Sequence, residues 1–413
     1  VRNNHNLLVV LAVFLMVTTL AVISGYWLFY RTAYVLGGLV PLCFLWARVQ
    51  ARGLEVTIER PNDRLQVGQE LEAKVHLRSR SMWTKLWLEL QDQTDMPGRP
   101  AQTVLTLPAK RVRNWRVSMP CARRGLFGVG PVRVTTGDPF GLFRITREYG
   151  DRRDVMVLPQ PEELPYFWAP AAHLPGEGAV RKRTHYVTPN AAAVREYHPG
   201  DSYNRIHWRT TARLGRLMVK TFEMDPTSNI WVVLDLDRAV QAGEGDESTE
   251  EYGVRIAASL AHHFLQANRR FGLMMIGREP AVLEPARGSQ QYGRVLEELA
   301  TARAGGRVPL ARLLQDEGRR FGRQTTLIVI TPSTDEEWAL SLGQAVQSGA
   351  RAAAVLLDAE SFGRAANGRL PVESLIAANV VAYRVPARSD LALMLGPAGL
   401  EGNMPERHKA GVR

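Results

Sequence analysis

From residue 7 to residue 30 the chain carries no charged side chain. A helix over that run, at about 1.5 Å per residue, is longer than the ~30 Å hydrocarbon core of a bilayer, so it reads as a membrane-spanning helix. A second uncharged run covers 32–47 behind Arg31. Gly37, Gly38 and Pro41 weaken it as a helix, yet its position directly after the first points to a helical hairpin over 1–50. Trp27, Tyr30, Tyr34 and Trp46 sit near the ends of the runs, where amphipathic aromatics favour the interface. A cleaved signal peptide has a shorter apolar core and no second run behind it. Arg2 precedes the hairpin and Arg48 and Arg52 follow it, against Arg31 alone in the expected turn. The positive-inside rule then predicts a two-pass anchor in the cell inner membrane, with the remaining domains in the cytoplasm.

The 413 residues exceed the size at which one hydrophobic core stops growing, so two or three domains are expected. A hydrophobic share of 45% with 23% charged residues excludes wholesale disorder. Cys43 and Cys121, the two cysteines, are too few and too far apart for a disulfide framework, which fits a reducing compartment. No Cys/His spacing resembles a zinc site. The net charge of +11 suits anionic lipid, an acidic partner or nucleic acid. For a chain held at a membrane the first two come ahead, and no nucleic acid is expected.

Over 51–150 the pattern turns to period two: Leu54, Val56 and Ile58 alternate with Glu55, Thr57 and Glu59. Further short strands are expected over 74–77, 86–90, 103–107, 112–117 and 131–135, which together suggest a small β-sandwich. The glycine-rich stretch 121–144 lacks the Gly-Lys-Ser/Thr of a phosphate loop and reads as tight turns between strands. Pro159, Pro161, Pro165, Pro170 and Pro175 mark 151–194 as an extended linker. In the remaining domain, 195–413, apolar strands over 230–236, 271–276, 326–330, 351–357 and 380–384 alternate with helical stretches over 249–268, 290–303, 309–320, 335–347 and 371–378, ending in a helix near Asp390. Strands without polar alternation suit a parallel sheet buried on both faces, so an α/β, Rossmann-like, three-layer domain is expected.

The most distinctive stretch is 195–220. Pro199 and Gly200 make a turn, Asp201 is placed to cap the next helix and Gly215 to end it. Arg205, Arg209 and Arg213 recur at helical spacing and share one face. This run resembles the bacterial domain-of-unknown-function family fifty-eight. The matching residues are Arg195, Tyr197, Gly200 and Asp201, then Arg205, Ile206 and Trp208, then Thr211, Ala212 and Arg213. Arg124-Gly125, the segment 138–143 and the amino-terminal hairpin are similar to the family as well. The resemblance implies a von Willebrand factor A-like domain working beside a MoxR-type AAA+ ATPase in assembly or maturation of client proteins. It implies Arg195, Tyr197, Gly200, Asp201, Arg205, Trp208, Arg209 and Arg213 as signature or partner-binding residues, and no established reaction.

Domains of the implied type often hold Mg²⁺ through Asp-x-Ser-x-Ser after the first strand. Here the run is Asp235-Leu236-Asp237-Arg238-Ala239, with both serines missing. Thr331, Ser333 and Asp335 after a later strand can add oxygen ligands. A metal set of Asp235, Asp237, Thr331 and Asp335 competes with a plainer role in which the carboxylates orient backbone, and no cofactor is expected. His262 and His263, within a helical stretch, read as packing or surface residues, and 243–250 as an exposed acidic loop. The competing functional reading is a membrane-bound hydrolase or phosphotransferase using His198, Asp201 and His207. With no nucleophile placed beside them, the favoured expectation is a non-enzymatic adaptor.

Overall fold

The computed structural model describes residues 4–167, 193–196, 206–221, 229–322, 324–365 and 368–401, in two compact units, Val1–Gln160 and Pro161–Arg413. The first unit opens with helix α1 (Asn4–Ser24) and helix α2 (Trp27–Ala51), both long and apolar enough to cross a membrane. Nearly all of each helix is outward-facing, unlike the core helix of a soluble protein. Small residues let the pair approach: Ala21 and Ala33 are buried, and a Cβ at Gly37 meets the Phe14 ring at 3.2 Å. The expected turn at Arg31 is corrected. The chain reverses at Gly25, whose φ of +62° glycine adopts without steric cost, and Arg31 lies inside α2, 4.4 Å above the Trp27 ring. Helix α2 runs on through Pro41.

Nine strands follow: β1 (Leu54–Glu59), β2 (Arg64–Gln66), β3 (Glu70–Ser79), β4 (Lys85–Thr94), β5 (Gln102–Leu107), β6 (Val112–Pro120), β7 (Gly125–Gly137), β8 (Arg144–Tyr149) and β9 (Arg153–Leu158). They form one sheet ordered β1-β3-β6 and another ordered β2-β9-β7-β4-β5, with β8 paired to β7. Leu71, Val75 and Leu77 of β3 share a core with Leu88 and Leu90 of β4 and Val132 and Val134 of β7, so the two sheets make a sandwich. Two expectations change here. The glycines at 125, 128, 130 and 137 lie within one long strand, β7, rather than in turns. A Cβ at Gly130 would lie 2.9 Å from Arg60 Nη1 and 3.0 Å from the Asp151 carbonyl, so close packing demands this glycine. Strand β9 and residues 162–167 also take the place of the first part of the linker expected over 151–194, of which 168–192 fall outside the described residues. Pro159, Pro161 and Pro165 follow β9 and so leave its ladder uninterrupted, and Pro170 and Pro175 fall outside the described residues.

In the second unit, the amide of Glu162 donates to Ser259 Oγ and Phe167 packs edge-on to Phe264. The signature region forms a small piece of its own. Strand β10 (Ala193–Glu196) pairs antiparallel with β11 (Met218–Thr221), and Ile206 bridges to Val219 of β11. Helix α3 (Trp208–Leu214) lies between them in sequence.

The main sheet is built from β12 (Asn229–Asp235), a hairpin of β13 (Gly243–Glu244) and β14 (Glu247–Ser248), α4 (Thr249–Gln266), β15 (Arg270–Ile276), β16 (Pro280–Ala286), α5 (Gly288–Thr301), α6 (Leu310–Asp316), β17 (Thr325–Thr331), α7 (Glu337–Gln347), β18 (Arg351–Leu357), α8 (Val372–Ala377), β19 (Val381–Val385), α9 (Leu391–Met394) and β20 (Leu400–Glu401). Its order is β16-β15-β12-β17-β18-β19-β20, parallel through the centre with antiparallel edges at β16 and β20. Trp231, Val233, Leu327 and Val329 pack with α6, α7 and α8. A Cβ at Gly253 of α4 would touch Leu234 of β12, Ile330 of β17 and Leu357 of β18, which alternate with the residues of that core. Helices therefore cover both faces, and the strands are apolar throughout because both faces are dry. The chain is a mixed α/β protein with two amino-terminal apolar helices and a doubly wound, largely parallel sheet.

Candidate functional site

In a doubly wound sheet the chain proceeds in opposite directions from one pair of neighbouring strands, and ligands bind outside their carboxyl ends. Here that pair is β12 and β17. Asp235 ends β12 and Thr331 ends β17, and the Thr331 hydroxyl donates to Asp235 Oδ2 at 2.6 Å. Asp235 Oδ1 accepts the Asp237 amide at 3.0 Å. Thr331 Oγ1 in turn accepts the Ser333 amide at 2.9 Å, Ser333 Oγ the Asp335 amide at 3.2 Å, and Asp335 Oδ1 the Glu337 amide at 3.1 Å. Asp237 Oδ1 takes the Ala239 amide at 3.0 Å. The residues expected at this edge are thus brought together as a hydrogen-bonded chain in which each side-chain oxygen orients the backbone two residues on.

Two supports escaped the sequence reading. Gln241 Nε2 donates to the Asp235 carbonyl at 2.9 Å, and the Thr249 hydroxyl donates to Gln241 Oε1 at 2.7 Å. A polar residue in a loop and another at a helix start give no periodic signal that would pair them. The 243–250 stretch is a hairpin and first helical turn rather than a plain loop. Ser248 caps α4, and the Glu250 carboxylate accepts the Ala304 amide at 2.9 Å.

Burial pushes the Asp235 carboxyl up to about 6, against the two hydrogen bonds that favour its charged form. A divalent cation in this place needs several oxygens with free lone pairs turned to one point. Both oxygens of Asp235, the hydroxyl oxygens of Thr331 and Ser333, and one oxygen each of Asp237 and Asp335 are engaged with backbone amides or with one another. Among the described residues no group of three or more His, Cys, Asp or Glu side chains is arranged to hold a metal. Ser333 and Asp335 also border an open cleft of about 550 Å³ that continues past the ends of β18 and β19, where Asp358 pairs with Arg384 at 2.7 Å. Arg364 and Arg369 line it too, so the cleft offers both signs of charge.

The signature residues divide. Trp208, Arg209 and Arg213 lie on α3, all exposed, and Arg195 lies on β10. Tyr197, His198, Gly200, Asp201 and Arg205 fall outside the described residues. The expected cap is corrected: α3 starts at Trp208 with His207 as its cap, and His207 Nδ1 accepts the Thr210 amide at 3.2 Å. The helix starts late because Ile206 is extended and buried against Val219, with the His207 amide donating to the Met218 carbonyl. His207 is therefore occupied structurally. Gly215 ends the helix at φ +67°, as its sequence position suggests. His263 packs edge-on to Phe167, and burial lowers its basicity, with His262 adding to the effect.

Residues 193–361, from β10 through the end of β18, match the model of a family described as a protein of unknown function, DUF58. That region of the chain is a DUF58 region. The DUF58 match takes in both the signature piece and the Asp235–Thr331 edge. A curated relative, the uncharacterized protein YeaD of Bacillus subtilis, is 25% identical over 301 residues, covering 71% of this chain and 74% of its own. Among solved structures, the CARDB domain of a Pyrococcus furiosus protein is 16% identical and covers 25% of this chain and 87% of its own at a TM-score of 0.19. A β-glucosidase from Listeria innocua is 18% identical, covering 25% of this chain and 16% of its own at 0.19. Superpositions at that level bear on neither fold nor activity.

Proposed function

We propose that this DUF58 protein is a membrane-anchored, non-enzymatic interaction module whose sheet domain is of the von Willebrand factor A type and acts with a MoxR-type AAA+ ATPase in assembly or maturation of client proteins. The helical hairpin holds it in the inner membrane, two-pass, with the remaining domains in the cytoplasm. Support for the fold assignment comes from the order in which β12, β15, β16, β17, β18 and β19 are arranged, 3-2-1-4-5-6 with an antiparallel third strand.

The observation that carries the functional reading is the carboxyl edge of the sheet. The hydroxyl beside the Asp235 carboxylate, that of Thr331, is fully buried and held in two hydrogen bonds, which suits it to fixing the loop rather than attacking a substrate. Beside it the mixed-charge cleft presents Asp335, Arg364 and Arg369 on a pre-formed surface, the chemistry of polar protein recognition. The test is affinity capture with the full chain in mild detergent. An AAA+ ATPase should co-purify, and the Asp335→Lys variant should lose at least a tenfold share of it, as about 1.4 kcal/mol of lost complementarity requires. Capture without any ATPase, or capture indifferent to charge reversal at 335, 364 and 369, sinks the proposal.

A further inference from the structure

Strand β4 begins with a break in its alternation. Lys85 and Leu88 both face the core, and the two residues between them, Leu86 and Trp87, both face out across a register shift against β5. Trp87 sits at φ +50°, a conformation that bulky side chains rarely adopt and that persists where the surroundings demand it. The turn just before it adds Met82 and Trp83, so Met82 is 79%, Trp83 66% and Trp87 67% exposed. A bulge that turns adjacent apolar side chains outward, at a cost in backbone strain, needs something apolar to receive them.

The place of this turn in the first unit names the receiver. Lys85 is fully buried, and its ammonium caps the end of α2 by donating to the carbonyls of Gln50, at 2.7 Å, and of Arg52. Gln50 answers from the helix, donating to the Thr84 carbonyl at 3.1 Å and accepting the Leu86 amide at 3.2 Å. The β7–β8 turn grips the same helix end: Phe143 packs edge-on against Phe44 at 5.4 Å, and Phe140 beside it is exposed. At 25 residues α2 is roughly 37 Å long, so its last turns extend beyond a ~30 Å hydrocarbon core into the headgroup layer. The exposed apolar residues are bolted to that end of the helix. Arg48, Arg52, Arg80, Lys110 and Arg111 surround the site in sequence and turn, a basic rim suited to anionic headgroups.

We infer that Met82, Trp83, Leu86, Trp87 and Phe140 form an interfacial insertion surface, seated in the headgroup layer of the bilayer that α1 and α2 cross. The inference rests on those helices spanning a membrane. Tryptophan, apolar in body with one polar N–H, is the side chain best suited to that depth. The sandwich is then fixed on the membrane by its own loops as well as by its tether.

The test uses the full chain in vesicles of phosphatidylcholine and phosphatidylglycerol, labelled with an environment-sensitive fluorophore through Trp83→Cys or, separately, Arg99→Cys. The native Cys43 and Cys121 are buried, and the unlabelled-site background is read from the parent chain. Position 99 follows the far end of β4, about 30 Å away at ~3.4 Å per residue. Emission from position 83 should shift to the blue and be quenched by brominated acyl chains, while position 99 stays unchanged. Equal, unquenched emission from both sites overturns the inference. A blue shift at 83 without lipid quenching does so too, because a second copy or a partner protein then covers the surface. Resistance of the chain to alkaline carbonate extraction separates the cases: a retained protein with an unquenched probe refutes only the insertion surface, and a released one refutes the spanning helices along with it.

Discussion

Asp235 shows how one carboxyl can carry a pH dependence for a whole sheet edge. Its folded pKa, about 6, lies above the 3.8 of an unperturbed aspartate, so the folded state holds this proton more tightly than the unfolded one. The sign follows: as pH rises from about 3.8 to about 6, the site's contribution to stability falls, by on the order of 3 kcal/mol. Asp235→Asn keeps an acceptor for the Asp237 amide and removes the titration. Thermal unfolding of the full chain in detergent should show the variant losing on the order of 3 kcal/mol less than the parent across that window. Asp92 poses the opposite problem. Burial raises its pKa while Arg60, 2.6 Å away and equally buried, pulls it down. Arg60→Met should cost about 3–5 kcal/mol by leaving that charge alone, and Arg60→Met with Asp92→Leu should recover most of it. The site was legible in part because acidic and hydroxyl residues at the ends of apolar strands stand out. Gln241 and Thr249, which complete the network, belong to no pattern along the chain.

At the scale of elements, α3 depends on its ends. It is seven residues long and buries no side chain, so packing contributes little and the caps decide whether it forms. Removing the His207 acceptor by His207→Ala should cost about 1 kcal/mol. Gly215→Ala should cost about as much through backbone strain alone, because nothing lies within 4 Å of the added Cβ. Hydrogen exchange should show both losses confined to 208–221, with the central strands of the main sheet unchanged; loss of protection throughout the sheet counts against a local role. Those central strands were readable within a residue or two because burial on both faces leaves an unbroken apolar run, as at Thr325–Thr331. The edge strand β16 was missed because PAVLEPA, with two prolines, matches neither the apolar run nor the helical period, and an edge tolerates it. The glycines of β7 misled for a related reason: a glycine needed for close packing is spelled like one needed for a turn. Lys85 could not be anticipated at all, since a lysine at a strand start gives no hint of carbonyls supplied by a helix more than thirty residues earlier.

For the molecule as a whole, orientation across the bilayer is the property on which the proposed partnership depends, because an AAA+ ATPase draws on cytoplasmic nucleotide. Arg31, although inside α2, lies one turn from the hairpin's reversal at Gly25, and its long side chain lets the charge sit at that interface. Against it stand Arg48 and Arg52 at the other end of α2, where the sandwich is clamped, joined by the basic turn residues Arg80, Lys110 and Arg111. Positive charge near the ends of spanning helices sets their direction, and the proposed orientation accordingly puts the clamped end, with the chain that follows it, in the cytoplasm. A green fluorescent protein fused behind residue 413 should therefore fluoresce, and alkaline phosphatase fused there should stay inactive. Since a few charges govern the choice, Arg48→Glu with Arg52→Glu and two lysines added beside Gly25 should move part of the population to the reverse pattern. A phosphatase fusion active in the parent chain places both soluble units on the far side of the membrane and removes the proposed ATPase from their reach, whatever the cleft at the edge of β17 and β18 can bind.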